Sequence, residues 1–300
     1  VRIGGLVDSS APIEEVVADT QRLAGAGLAS AWASQVFGHD TLTLLALVGA
    51  RVPGIELGTA VVPIQPRHPA MLAAQAATVQ SAIGGRLALG VGLSHQVVVE
   101  GMWGLGFERP ASFLREYLQV LVPMLRGERV DFAGERLRAV SGPLPQVTGA
   151  TPVYVAALGP VMLQIAGELA DGTVTWMTGT KTVATHIVPR ITAAAEAAGR
   201  AAPRVVVGLP VCVTDDPHAA RERIDRALAI YPTLPSYRAM LDREGATSAS
   251  DIALVGTEEE VAAGISRLAD AGATDLTASV IASTAERERT WRLLAELATR

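Results

Sequence analysis

Apolar residues along the chain fall into two alternating kinds of segment. Short runs bounded by turn residues occur at Ile3–Val7, Ser30–Val36, Ile55–Ile64, Arg86–Gly92, Val153–Leu158, Gly172–Met177, Arg204–Val213 and Leu276–Ile281. Each predicts a strand. Between them lie longer stretches with apolar positions three or four apart. In Pro12–Ala26, Ile13, Val16, Val17, Thr20 and Leu23 form one stripe, the spacing of a half-buried helix. Thr257 with Glu260, and Ser283 with Glu286, predict capping boxes. His68-Pro69 and Asp216-Pro217 predict helix starts, and Asp40 predicts a cap on the apolar helix that follows.

One unit recurs. Glu14–Ser34 aligns with Glu259–Ser279 at a constant offset of 245, with eleven of 21 positions identical. The unit is helix, Ala-Gly turn, strand, near both ends of the chain. Eight such alternations predict an α/β fold, a (β/α)8 TIM barrel; an open doubly wound sheet is the other arrangement with this pattern. One domain is expected over residues 1–300. Three insertions stand out: Leu93–Ala111 after strand four, Gly127–Ala150, and a helical segment at about 217–253 after strand seven.

Composition narrows the classes. Of 300 residues, 49% are hydrophobic and 18% charged, which excludes disorder. A net charge of −5 argues against nucleic acid or an anionic membrane as partner. Mean hydropathy is +0.32, yet the longest stretch without acidic or basic residues, Ala139–Gly167, contains four prolines, which break any spanning helix. No basic-then-apolar leader opens the sequence, and a cytoplasmic protein is expected. The one cysteine, Cys212, sits in an apolar run and reads as a buried inert thiol. The five histidines have no metal-ligand spacing.

In a barrel the chemistry sits where strands end. Ala156-Ala157-Leu158-Gly159-Pro160 leaves strand five and opens a helix whose free amides suit a phosphate; an ordinary turn carries the same residues. Thr178 and Lys181, after strand six, could reach the same anion. Gly90-Val91-Gly92-Leu93-Ser94-His95-Gln96 fails as a dinucleotide fingerprint, with His95 where glycine is needed. It fails as a nucleophile elbow too, with Gln96 in place of glycine. Small residues opening the mouth to a flat ligand fit it better, with His95 as the candidate proton donor. Trp32 and Trp176 could line the pocket.

These segments resemble the luciferase-like monooxygenase superfamily, and within it the actinobacterial deazaflavin (coenzyme F420) oxidoreductases. The residues that carry the resemblance are Trp32-Ala33-Ser34-Gln35, Gly58–Pro63, Arg67-His68-Pro69, Gly84–Gly92, Ala156–Pro160 and Ala170-Asp171-Gly172. The resemblance implies a barrel with the cofactor ring across its C-terminal mouth. Ser34, Gln35, Thr59, Ala60, Val61, Gly92, Leu93 and Ser94 would lie by the ring. Ala156, Ala157, Leu158, Gly159, Pro160, Thr178 and Lys181 would lie at the phosphate. It also implies a non-proline cis peptide at Ala60-Val61, and a homodimer. Sugar-phosphate dehydrogenases of the family carry an Asp-His pair where this chain has Gln35-Val36, so their catalytic base is absent.

Four functions follow from this reading. The first is an F420-dependent oxidoreductase acting on a small organic molecule, with Lys181 and Arg67 as rim cations for the F420 tail. The second is an FMN-dependent two-component monooxygenase using molecular oxygen, which would need a flavin reductase as partner. The others are a serine hydrolase at Ser94 and a non-catalytic cofactor-binding protein.

Overall fold

The computed structural model describes residues 1–35, 37–147 and 149–299. Eight parallel strands form the barrel: β1 (Arg2–Val7), β2 (Ser30–Ala33), β3 (Glu56–Thr59), β4 (Leu87–Gly92), β5 (Val153–Val155), β6 (Gly172–Trp176), β7 (Arg204–Val213) and β8 (Asp275–Val280). Neighbours in this order pair in parallel, and β8 returns to β1 from Arg2↔Asp275 to Gly5↔Ala278. That last pairing closes the ring and excludes the open doubly wound sheet.

Every expected run contains a strand, but several strands stop early. β2 ends at Ala33, leaving Ser34 and Gln35 beyond it; Val36 lies outside the described residues. β5 ends at Val155, before the Ala156–Pro160 turn. The run Ile55–Ile64 is not one strand. β3 pairs with β4 through Gly58↔Ala88, and pairing resumes at Val62↔Val91 in the short strand Val62–Pro63. The third run thus uses one more residue than β4 over that interval, a bulge of the sort found beside functional sites. Within it the Ala60-Val61 bond is cis.

The repeated unit is one physical device used twice. Helices Ile13–Gly25 and Glu258–Asp270 both end in a left-handed glycine, Gly27 at φ 78 and Gly272 at φ 93. In each, an amide beyond the glycine bonds back into the last turn, Leu28 to Leu23 at 3.1 Å and Ala273 to Leu268 at 3.2 Å. A positive φ suits glycine alone among common residues. The Thr257 capping box is reciprocal. In the second box the Glu286 carboxylate accepts from the Ser283 amide at 2.8 Å.

The insertions differ in kind. Leu93–Ala111 holds a short helix, Gln96–Gly101. Gly127–Ala150 holds an antiparallel hairpin, Val130–Ala133 with Arg138–Ser141. The segment after β7 is two helices, Pro217–Ala227 and Pro235–Glu244, joined through a turn at Tyr231–Thr233. Pro232 and Pro235 prevent one continuous helix. A strand with no counterpart in the sequence pattern, Leu254–Gly256, pairs with the end of β7.

Alternation along the strands sends one set of side chains inward. Glu56, Tyr154, Arg204 and Asp275 form a polar floor. Arg204 bonds Glu56 at 2.9 Å, Asp275 at 2.6 Å and the Tyr154 hydroxyl at 2.8 Å. Above it Trp32, Ala88, Val174 and Val206 pack as a separate apolar layer. Trp32 fills the space over Gly58, where a Cβ would lie 2.1 Å from its ring. Cys212 is buried, and burial pushes its thiol above its ordinary pKa. Among the described residues no helix is long and apolar enough to cross a membrane. Nor do any three His, Cys, Asp or Glu side chains among them gather as a metal site.

Candidate functional site

Above the Trp32 layer the inward positions become small: Ala60, Gly90, Gly92, Ala156 and Gly208. A Cβ on Gly92 would meet Val61 at 2.7 Å and Ala156 at 3.1 Å; one on Gly90 would meet the Thr59 carbonyl oxygen at 2.0 Å. The upper barrel is therefore a shallow bed with glycine where β4 approaches β3 and β5. Two buried polar atoms at this level have no partner, Thr277 Oγ1 and Trp176 Nε1. Such atoms cost about 1–3 kcal/mol when left unmet, so they mark where a ligand's polar edge would be welcome. Ser34 joins the bed from β2, its hydroxyl donating to the Ala60 carbonyl at 2.8 Å. Thr59 is fully buried, and its hydroxyl both donates to Gly90 O and accepts from Gly90 N. Thr59 therefore ties β3 to β4 and does not face a ligand.

The turn after β5 has unused donors. Gly159 precedes the helix Pro160–Leu169, and no side chain caps it. Pro160 has no amide to waste, so the Val161 and Met162 amides begin the helix facing outward. Ala156 and Pro160 are exposed and Ala157 is buried. The Leu158 carbonyl accepts from His186 Nε2 at 2.8 Å, and Arg190 Nε donates to His186 Nδ1 at 3.1 Å. Burial lowers the His186 pKa; the Leu158 bond works against this, and the Arg243 and Arg190 charges add to the lowering. Arg190, Arg243 and Lys181 are exposed, giving this corner three cations that the sequence reading represented by Lys181 alone.

The turn after β6 is already occupied. Glu244, ending the helix Pro235–Glu244, accepts from the Lys181 amide at 3.0 Å and the Thr182 amide at 2.7 Å. The second anion-binding turn expected at Thr178 and Lys181 is thus filled by the chain's own carboxylate. The Thr178 side chain is buried, and its hydroxyl donates to the Trp176 carbonyl at 3.3 Å. Arg67 is not a free rim cation either: it pairs with Asp40 and reaches Gln35 Oε1 at 3.3 Å. Burial raises the Asp40 carboxyl, but hydrogen bonds from Thr43 and the Arg67 charge more than offset this and leave it below its ordinary pKa. Asp40 also caps its helix through the Thr43 amide at 2.9 Å.

Leu93 follows β4, and its carbonyl accepts from Gln65 Nε2. Two non-glycine residues at the strand ends are left-handed, Ser94 and Met177, both at φ 56. Strain of this sort clusters at functional sites. His95 packs on Tyr237, ring centroids 5.7 Å apart and planes tilted by 54°, and among the described residues no hydrogen bond joins it to Ser94. Tyr237 meets Tyr231 at 5.0 Å, and Tyr231 meets Trp176 at 5.9 Å. This row of rings carries the insertion after β7 across the mouth to the loop after β4. Burial lowers the His95 pKa, so at neutral pH its ring is uncharged. Tyr231 and Tyr237 were not among the expected site residues. Their only sequence signal was their place in an insertion at the C-terminal end of a strand.

Residues 1–275 match the luciferase-like monooxygenase family. The chain belongs to that family. Among curated relatives, the F420-dependent glucose-6-phosphate dehydrogenase of Mycolicibacterium smegmatis is 33% identical over 216 residues, 66% of this chain and 64% of that protein. The chain spans about half the length of other curated relatives it matches. Two solved structures share the fold. One is the coenzyme F420-dependent tetrahydromethanopterin reductase of Methanopyrus kandleri (TM-score 0.83, 22% identity, 99% of this chain and 97% of that one). The other is the oxygenating constituent of 3,6-diketocamphane monooxygenase from Pseudomonas putida, with FMN (TM-score 0.77, 17% identity, 98% and 96%).

Proposed function

We propose that this luciferase-like protein is an F420-dependent oxidoreductase. When bound, the deazaflavin supplies a hydride acceptor or donor at C5. The observation that supports the reading is the bed itself: Gly90, Gly92 and Gly208 let neighbouring strands approach closely at the mouth, and Thr277 Oγ1 and Trp176 Nε1 have no partner. The uncapped amides after β5 would hold the phosphate, with Arg190, Arg243 and Lys181 around the acidic tail. His95 would hold or release the proton that accompanies the hydride. The F420-dependent relatives support this cofactor over FMN.

The direct test is to titrate the purified protein with F420 and with FMN, following cofactor fluorescence. Micromolar F420 binding is expected, and Gly92→Val should weaken it at least tenfold, because the added carbons enter the space between Val61 and Ala156. Absence of F420 binding up to high micromolar overturns the proposal. Tight FMN binding alone moves the assignment to a monooxygenase with a reductase partner. A homodimer is part of the proposal: Leu47 and Met71, on adjoining helices, are exposed apolar side chains. Light scattering at the monomer mass rejects it.

A further inference from the structure

The helix Val188–Ala197, behind the β5 turn, begins irregularly. Pro189 has no amide to offer the Thr185 carbonyl, and the chain ahead of it widens into a π-turn, Val183–Ile187. Such turns are uncommon and recur at functional sites. This one carries His186 inward: the residue is 2% exposed, while Ala184 and Thr185 beside it face solvent.

Two contacts decide which ring nitrogen holds the hydrogen. Arg190 Nε can only donate, so His186 Nδ1, 3.1 Å away, must accept. Nε2 then carries the hydrogen and donates it to the Leu158 carbonyl at 2.8 Å. Among the described residues no carboxylate bonds the ring. The charges that act on it are Arg243, in the last turn of the helix Pro235–Glu244, and Arg190, on its own helix. Burial, and then these two cations, hold its pKa below the ordinary value. The ring therefore stays neutral at physiological pH and keeps this tautomer.

The Leu158 carbonyl matters because of what shares its plane. Leu158–Gly159 is a trans peptide, so its C=O and N–H point in opposite directions. A carbonyl held toward His186 turns the Gly159 amide the other way. That amide meets no acceptor among the described residues. A Cβ built on Gly159 would touch nothing within 4 Å, and its φ of −77° is open to any residue. Neither strain nor packing asks for glycine here. A serine or aspartate would cap the helix better, but would fill the space in front of the free amides.

We infer that His186 is a positioning residue: locked by Arg190 with its hydrogen on Nε2, it holds the Leu158 carbonyl inward and so keeps the Gly159 amide aimed, with those of Val161 and Met162, at an anion in the β5 turn. The inference rests on that turn being the phosphate site of the proposed function.

Two substitutions separate the hydrogen bond from the bulk of the ring. His186→Gln keeps a donor for Leu158, and His186→Leu fills the space without one. Each would be titrated with inorganic phosphate by calorimetry and with F420 by fluorescence, the folded fraction being fixed by circular dichroism. His186→Leu should weaken both ligands about tenfold, as loss of an orienting partner does at other sites, and His186→Gln only about twofold. Two measurements need no variant. Nitrogen NMR of the labelled parent protein should show the His186 hydrogen on Nε2, and added phosphate should move the Gly159 amide resonance. Phosphate binding without F420 binding would sink the cofactor reading and leave this inference standing. It is overturned if the parent binds neither ligand, if the hydrogen lies on Nδ1, if the Gly159 resonance does not move, if folded His186→Leu binds like the parent, or if the two variants lose affinity equally.

Discussion

The two ends of the barrel solve opposite problems. At the floor every charged group has a partner: Arg204 is shared between Glu56, Asp275 and Tyr154, and Arg2 adds a 3.3 Å contact to Asp275. At the mouth the inward residues are small, and Thr277 and Trp176 hold polar atoms that nothing meets. A satisfied network fixes the strands and does nothing more; an unsatisfied one is useful only when something else binds. The comparison divides the chain into residues that hold the barrel closed and residues that await a ligand.

The largest effect expected from breaking this division is at the floor. Arg204→Met would leave Asp275, whose side chain is only 1% exposed, with the more exposed Arg2 as its one remaining countercharge. Loss of one partner of a buried pair costs about 3–5 kcal/mol. Urea unfolding should show that loss with cofactor affinity per folded molecule unchanged. A variant as stable as the parent would mean the floor network is dispensable. The Tyr154 hydroxyl, which burial raises to about 12 against the Arg204 charge, stays protonated through any such experiment.

A second comparison lies within the mouth, between the turn after β5 and the turn after β6. They have the same geometry of strand, glycine and helix start, and one is capped by Glu244 while the other is not. Glu244→Ala should cost about 1 kcal/mol, as other lost caps do, and should free the Lys181 and Thr182 amides for an added anion. Calorimetry with inorganic phosphate would then show a new weak site absent from the parent. If the variant binds no more phosphate, the β6 turn is shaped by Glu244 and is no anion site in its own right.

The sequence made much of this visible because strands and caps are local. Alternation located all eight strands, and the Gly27 and Gly272 turns were legible as one repeated pattern. The Arg204 floor was not, since its members are up to 148 positions apart and ion pairs leave no periodicity. Glu244 was invisible as a cap for the same reason, 63 positions from the amide it meets. Thr59 was placed by the ring through the family resemblance, and Thr178 beside the phosphate as a hydroxyl near Lys181. Both point into the packing, where backbone carbonyls consume them. The bulge at Ala60-Val61 was legible only through family resemblance, because an apolar run looks the same with or without one.

The smallest effect sharpens the comparison from the side of pH. His95 and His186 both sit near the mouth with pKa values below the ordinary 6.5, in each case first because burial disfavours the charged ring. The unfolded chain therefore takes up these protons at a higher pH than the folded one. Stability from the neutral rings is complete above pH 6.5 and is lost as pH falls from there through the folded values. The floor contains no histidine, so no group of this kind acts there. Denaturation midpoints measured from pH 7.5 to 5 should fall for the parent protein and fall less for His186→Gln, whose amide can still donate to the Leu158 carbonyl without taking a charge. An equal fall in both would place the acid-sensitive step away from the β5 turn, leaving His95 as the mouth histidine that answers to protons.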